Sequence, residues 1–297
     1  MKMNRLNDQI NSYLEFVKIE KGLSNNTILA YKQDLTEFIN FLQVEGIKSW
    51  PSDVIDINAF LARQSQEKSD SSVTRMISTL NKFYQWLARQ NIQKLNPMLE
   101  VDAPDRKVQH QTALTENEIV QLLEKIDTNK KNGIRDRALL EVFYATGIKT
   151  SELVNLRVQD VYKDLQLVQI HDGNKSRLIP INKKALNWIE KYEKEVRNPL
   201  VHKKESSSQN LFLNNRATKI TRQAIWQIIK RACKNANIEK NVTPNMLRYT
   251  FTVHLLNHGA DLQVVQAILG YTGNDIFQRE LSQKRILDVY LNSHPRL

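Results

Sequence analysis

One cysteine, Cys233, is the chain's whole supply of thiols, which excludes an intramolecular disulfide and any thiol cluster for a metal. It reads as a small core residue. Glycine and proline are sparse, at eight and seven residues, so a loop-rich or repetitive fold is disfavoured and helix is favoured. No window approaches the roughly 18 apolar residues of a membrane-spanning helix. The opening MKMNRLNDQINSYLEF has no apolar stretch of the secretory kind, and the expectation is a cytoplasmic location. P-loop, dinucleotide fingerprint, HExxH and Cys/His metal spacings are all missing, so neither a nucleotide cofactor nor a metal is expected.

Positive charge is what the chain holds in excess. Its formal charge is +11 and its pI about 9.5. Residues 1 to 105 carry 12 Lys and Arg against 13 Asp and Glu, so the whole excess lies in the remainder. Clustered cations bind phosphates and release counterions, which points the second half at a polyanion. With 297 residues and 41% hydrophobic content, the chain can build two domains, each with its own core.

Helical periodicity fills the first hundred residues, in segments Ile10 to Glu20, Asn26 to Val44, Ile55 to Gln66 and Ser72 to Gln90. Tyr31, Leu35, Phe38, Phe41 and Leu42 form one stripe at three- and four-residue steps, with Ser24 placed to cap it. Val73, Ile77, Leu80, Tyr84 and Leu87 form another. From Asn96 to Gln111 prolines and charges interrupt the period, as in a linker. Thr115 then opens the capping-box-like TENE ahead of Ile119, Leu122 and Leu123, and a helix from Asp136 to Ala145 follows. Residues 158 to 181 alternate in β fashion, with LQLVQI and SRLIPI separated by HDGNK, where Asp172-Gly173 signals a hairpin. Helices return at Ala185 to Val196, Thr221 to Ala236, Pro244 to Asn257, Asp261 to Leu269 and Gln283 to Leu291.

Four stretches, GIRDRALLEVFYATGIKTSELVNL, HDGNKSRLIPI, ITRQAIWQIIKRACKNANIEKNVTPNMLRYTFTVHLLNHGADLQVVQAILGY and VYLNSHPRL, together resemble the tyrosine recombinase (phage integrase) family, in its Xer-like branch. GLSNNTILAYKQDLTEFINFL and SSVTRMISTLNKFYQWL resemble that branch's core-binding domain. The resemblance implies a mainly α fold with a small β-hairpin or sheet. A helical core-binding (SAM-like) domain would span 1 to 101, a linker 102 to 112, and a mixed α/β catalytic-type domain 113 to 297, the two closing as a clamp on duplex DNA. It also implies a tyrosine that attacks a phosphodiester, two arginines and a His or Trp that stabilise the phosphate oxygens, and a hairpin lysine that protonates the leaving oxygen.

Set on this sequence, that site is largely replaced. The first arginine slot, in ATG-x-R-x-SEL, is Lys149, which keeps the charge and loses the bidentate fork. The hairpin lysine slot is Asp172, an acid that repels phosphate, with Lys175 three residues on as a candidate substitute. The H-x-x-R-H box reads Asn245, Met246, Leu247, Arg248, Tyr249, so Arg248 is the one unaltered member. The next His or Trp slot is Tyr271. The nucleophile slot falls at Gln278 or Glu280, and no tyrosine stands in residues 272 to 282. Tyr271 and Tyr290 are the nearest phenols.

The DNA-binding text is fuller. Arg222 and Gln223 begin a helix, from which such residues reach backbone and base edges in the major groove. Lys219, Lys230, Arg231 and Lys234 extend that basic run. In the first domain Lys32, Arg75 and Lys82 are expected on polar, DNA-facing helix faces.

The leading reading is therefore a catalytically inactive Xer-like protein that binds duplex DNA, in or around site-specific recombination, integration or chromosome partition. By the resemblance, the terminal helix would dock into another copy or an active recombinase. One alternative is a working recombinase whose site is rearranged or completed by a partner. Another is a protein-interaction module that has lost DNA binding.

Overall fold

The computed structural model describes residues 2–101, 112–173, 175–271 and 283–296, and the chain divides into two units, Met1–Val108 and Gln109–Leu297. In the first, Ser24 leaves an extended entry and its hydroxyl accepts the Thr27 N–H at 3.2 Å, launching α2. Four helices result: α1 (Lys2–Ile19), α2 (Asn25–Val44), α3 (Val54–Glu67) and α4 (Asp70–Arg89). Their stripes meet in one aromatic core. The five predicted α2 residues are all buried, and Phe83 packs edge-on against Tyr13 and Trp50 at 5.2 and 4.9 Å. On α4 Val73, Leu80, Tyr84 and Leu87 are buried as expected, and Met76 takes the buried place expected of Ile77, which lies at the margin of the core.

The stretch from Asn96 does not behave wholly as a linker. Asn96 caps a 3-10 turn, Pro97–Glu100, whose Pro97 and Met98 are buried, because Met98 still completes the first core. The linker expected at 102 to 112 falls almost wholly outside the described residues.

In the second unit the capping box at Thr115 forms as expected, with the Glu118 carboxylate accepting the Thr115 N–H and the Thr115 hydroxyl accepting the Glu118 N–H. It starts α5 (Glu116–Glu124), which leads to α6 (Lys131–Thr146). The sequence reading of α6 was too short because its first turn is polar. Every residue of α6 from Ile134 to Thr146 is buried, including Arg135, Asp136, Arg137 and Glu141. Such a helix lies at the centre of a domain, and its charges must be paired. They are: Glu141 accepts from Arg137 and, at 2.9 Å, from Arg296.

A short helix α7 (Thr150–Asn155) leads to a three-stranded antiparallel sheet in the order β1 (Val161–Tyr162), β2 (Leu167–Asp172), β3 (Lys175–Pro180). The hairpin is tighter than HDGNK suggests, because the ladder runs on to the pair Asp172 and Lys175. Gly173, with φ +62, therefore follows directly on the last paired residue of β2. After it come α8 (Lys183–Tyr192), a π-helical turn (Glu193–Arg197), α9 (Asn198–Lys203), α10 (Arg222–Asn235), α11 (Pro244–Asn257), α12 (Leu262–Leu269) and α13 (Gln283–Ser293). The single predicted helix ending at Val196 is thus interrupted and prolonged. Arg197 sits where the winding changes and donates to the carbonyls of Ser208, Asn210 and Leu211.

The C-terminal tail packs on its own domain. Tyr290 is fully buried and donates to the Ala145 carbonyl at 2.8 Å. Asn182 donates to the Arg296 carbonyl at 2.9 Å, and the Arg296 guanidinium joins Glu141. Cys233 is buried, and burial pushes its thiol up to about 11. Among the described residues no helix is long and apolar enough to cross a membrane.

Candidate nucleic-acid interface

Gly147 ends α6 in the left-handed region, φ +58. A Cβ there would lie 2.2 Å from the Phe251 ring, so only glycine fits both the turn and the packing. The turn buries Ile148 and delivers Lys149 to the start of α7. Glu152, one turn on, accepts the Lys149 backbone N–H at 2.7 Å and fixes that position.

The Lys149 side chain does not stand alone. Its ammonium donates to the Asp172 carboxylate at 2.7 Å, with the two side chains 44% and 56% exposed. The hydrogen bond and charge of Lys149 hold the Asp172 carboxyl below the usual range. Two slots that would both be cationic in the family thus carry a bonded pair of opposite sign. Lys175 faces Asp172 across the ladder and is exposed.

Arg177 was not singled out in the sequence, yet it ties the site together. Its guanidinium binds both oxygens of the buried Glu152, at 2.8 and 3.0 Å, and its Nε donates to the Ile268 carbonyl at 2.9 Å. Hairpin, α7 and the end of α12 are thereby held at one point. Gly270, φ +71, caps α12 there, and a Cβ would meet Arg177 at 2.9 Å. A Glu in SEL and an Arg five residues past the hairpin acid were the only signals, and sequence spacing does not say that they meet.

Arg248, on α11, donates to the Gly147 carbonyl at 2.5 Å and to the Leu269 carbonyl at 2.7 Å. These bonds use two of its five donors and orient the fork. Its guanidinium carbon lies 5.4 Å from the centre of the Tyr271 ring, which is 56% exposed. Tyr249 points outward from the next position. Tyr290, the other phenol considered, is sealed in the core, and burial raises its pKa well above normal. Gln278 and Glu280 lie outside the described residues.

A groove of about 740 Å³ opens beside Lys149 and is lined by Thr150, Arg222, Gln223, Trp226 and Asn245. It sits at the N-terminal ends of α10 and α11, whose Thr221 and Thr243 caps hold the helix starts in place. Positive helix ends and Arg222 favour an anion there. Trp226, which sequence reasoning passed over, lines this groove while Lys230 stacks on its ring at 4.5 Å. Lys219 reaches back to the Asn155 carbonyl oxygen of the side-chain amide at 2.9 Å, and Arg231 pairs with Asp136.

In the first unit the three predicted cations differ. Lys32 is exposed. Lys82 donates to the Tyr31 hydroxyl at 2.8 Å. Arg75 is not simply on a polar face: it donates to Asp34, which is fully buried, and to the Ala30 carbonyl. An unpaired carboxylate in that core would be costly, so Arg75 is committed to it. Among the described residues no group of three His, Cys, Asp or Glu is arranged to hold a metal.

A helical unit and a mixed α/β unit with a groove lined by Lys149 and Arg222 match a tyrosine-recombinase type of protein. The chain belongs to the phage integrase family: its model matches residues 112–279, and the family's N-terminal SAM-like domain matches residues 10–91. Similar proteins include tyrosine recombinase XerD of Lacticaseibacillus casei, 40% identical over 97% of this chain and 98% of that protein. XerD of Listeria monocytogenes is 36% identical over 98% of this chain and 100% of that one. Among solved structures, XerH recombinase bound to palindromic difH substrate shares the fold with a TM-score of 0.71 at 21% identity, covering 88% of this chain and 78% of that chain. A lambda integrase (75–356) dimer bound to a COC′ core site has a TM-score of 0.69 at 15% identity, covering 93% of this chain and 97% of that chain.

Proposed function

We propose that this chain binds duplex DNA at a recombination site, as an Xer-type protein that holds the site without cutting it. The observation that carries the reading is the ion pair between Lys149 and Asp172. In a working site both positions would present positive charge to the phosphate; here one cancels the other. Residues 272 to 282 add no tyrosine to attack the phosphodiester, and losing one preorganised donor alone typically costs about a hundredfold to a thousandfold in rate. DNA binding rests chiefly on other residues of the groove that Lys149 also lines: Arg222, Gln223 and the positive ends of α10 and α11. The XerD relatives support recombination as the setting, with the protein acting alone or beside an active recombinase. Engagement of a partner through α13 would require the Tyr290 and Arg296 contacts to be exchanged. The domain boundaries 1–101 and 113–297, with a linker at 102–112, belong to the same proposal.

Incubation with labelled, nicked duplexes tests this in one experiment. Retention on native gels that weakens with salt, without a denaturant-resistant adduct, is the expected result. An adduct overturns the reading, and one mapped to Tyr271 would establish a rearranged, active site, since that phenol is exposed beside Arg248.

A further inference from the structure

A pocket among α1, α2 and α4 of the first unit includes Lys82, one of the cations expected to face DNA, but none of the residues of the second unit's site. It encloses about 330 Å³, within the size range of small-molecule sites, about 300–1,000 Å³. Its walls are aromatic, from Tyr13, Phe16, Tyr31 and Trp86, and its rim carries Lys21, Lys82 and Arg89, with no carboxylate in the lining. Residues 1 to 105 hold more acids than bases, so an all-cationic rim is not the background of this unit. The Lys82 ammonium lies 5.5 Å from the Tyr31 ring centre and the Lys21 ammonium 6.0 Å from that of Phe16. Both ammonium groups thus lie over aromatic rings of the pocket while their side chains remain exposed to solvent.

Tyr13 supplies an independent sign. It is 1% exposed, and its hydroxyl has no hydrogen-bond partner among the described residues. A buried hydroxyl without a partner is costly and rare. Burial raises its pKa, so the group stays protonated and remains a donor. A pocket with a flat aromatic lining, three cations at the mouth and an unused donor in its wall suits one kind of guest.

We propose that this pocket binds a small organic anion with a flat apolar body, an aromatic carboxylate, its ring among Phe16, Tyr31 and Trp86 and its charge toward Lys21, Lys82 and Arg89. The Tyr13 hydroxyl then gains an acceptor. The proposal does not need the DNA reading, although Lys82 belongs to both.

The test uses the full chain and 2-naphthoate as probe, followed by calorimetry and amide-resolved NMR, with uncharged 2-naphthalenemethanol as control. Saturable binding is expected, with shifts confined to the pocket, at Leu23, Gln85 and Trp86 among others. The double substitution Lys21→Glu, Arg89→Glu should weaken 2-naphthoate about tenfold and leave binding of the uncharged alcohol unchanged, which also shows that the pocket is intact. Tyr13→Phe should weaken the carboxylate by a smaller factor. Absence of saturable shifts at about 1 mM probe, shifts of equal size elsewhere, or equal binding of the alcohol and the carboxylate would overturn the proposal.

Discussion

Glu141 and Asp172 are both acids bonded to cations of the second unit, and they differ in burial. Glu141 is 1% exposed and serves Arg137 and Arg296 together, under the tail that also docks Tyr290. Asp172 lies on the open hairpin and serves Lys149 alone. Buried, an ion pair is part of the fold, because removing one partner strands the other in low dielectric. Exposed, it adds little stability, and its consequence lies in what it does to the charge seen by a ligand. The same chemistry holds the tail in one place and alters a binding site in the other.

The largest expected break in that contrast is Glu141→Ala. It should cost about 3–5 kcal/mol of stability, by leaving Arg137 and Arg296 uncompensated, and would appear as a large fall in the denaturant midpoint of the second unit. A loss as small as that of an exposed pair would refute the distinction.

Acid sharpens it next. Burial pulls His294, beside Arg296, down to about 3, against about 6.5 in the unfolded chain. Its folded pKa is depressed, so its contribution is complete above pH 6.5 and is lost as pH falls toward 3, at up to about 1.4 kcal/mol per pH unit. Asp172 is also depressed, but its contribution is complete above about pH 3.9. Between pH 6.5 and 4.5, melting temperature should therefore fall in the wild type and fall less in His294→Gln, while Asp172→Asn leaves the slope unchanged.

Gly270→Ala comes third. Left-handed backbone and a Cβ at 2.9 Å from Arg177 should cost about 1–3 kcal/mol and loosen the Arg177–Glu152 bond, measurable as reduced amide protection at Glu152. Smallest is the direct stability effect of Asp172→Asn, about 0–1 kcal/mol, read from the same denaturant midpoint.

Much of the scaffold was legible because it is written locally. Ser24 and Thr115 cap helices by their own hydroxyls, and the α2 stripe reports its buried face. The β-hairpin was visible, though its last pair was not, since ladder length depends on Asp172 and Lys175 meeting across the turn. The π-helical turn was invisible because Arg197 is satisfied by carbonyls 11 to 14 residues away in the chain. At the site, Lys149, Asp172 and Arg248 could be named from motif slots. That two of them bond each other, that Arg177 rather than Lys175 is the anchored hairpin cation, and that Arg75 serves a buried acid are facts of tertiary pairing. No periodicity encodes them.

The affinity of the wild type and of Asp172→Asn for duplex DNA, measured across salt concentration, tests most directly whether the exposed pair restrains the site. Freed from its acid, Lys149 should bind a phosphate, so the variant should bind more tightly and its dependence of log affinity on log salt should steepen by about one. Unchanged or weaker binding with the same slope would contradict the account.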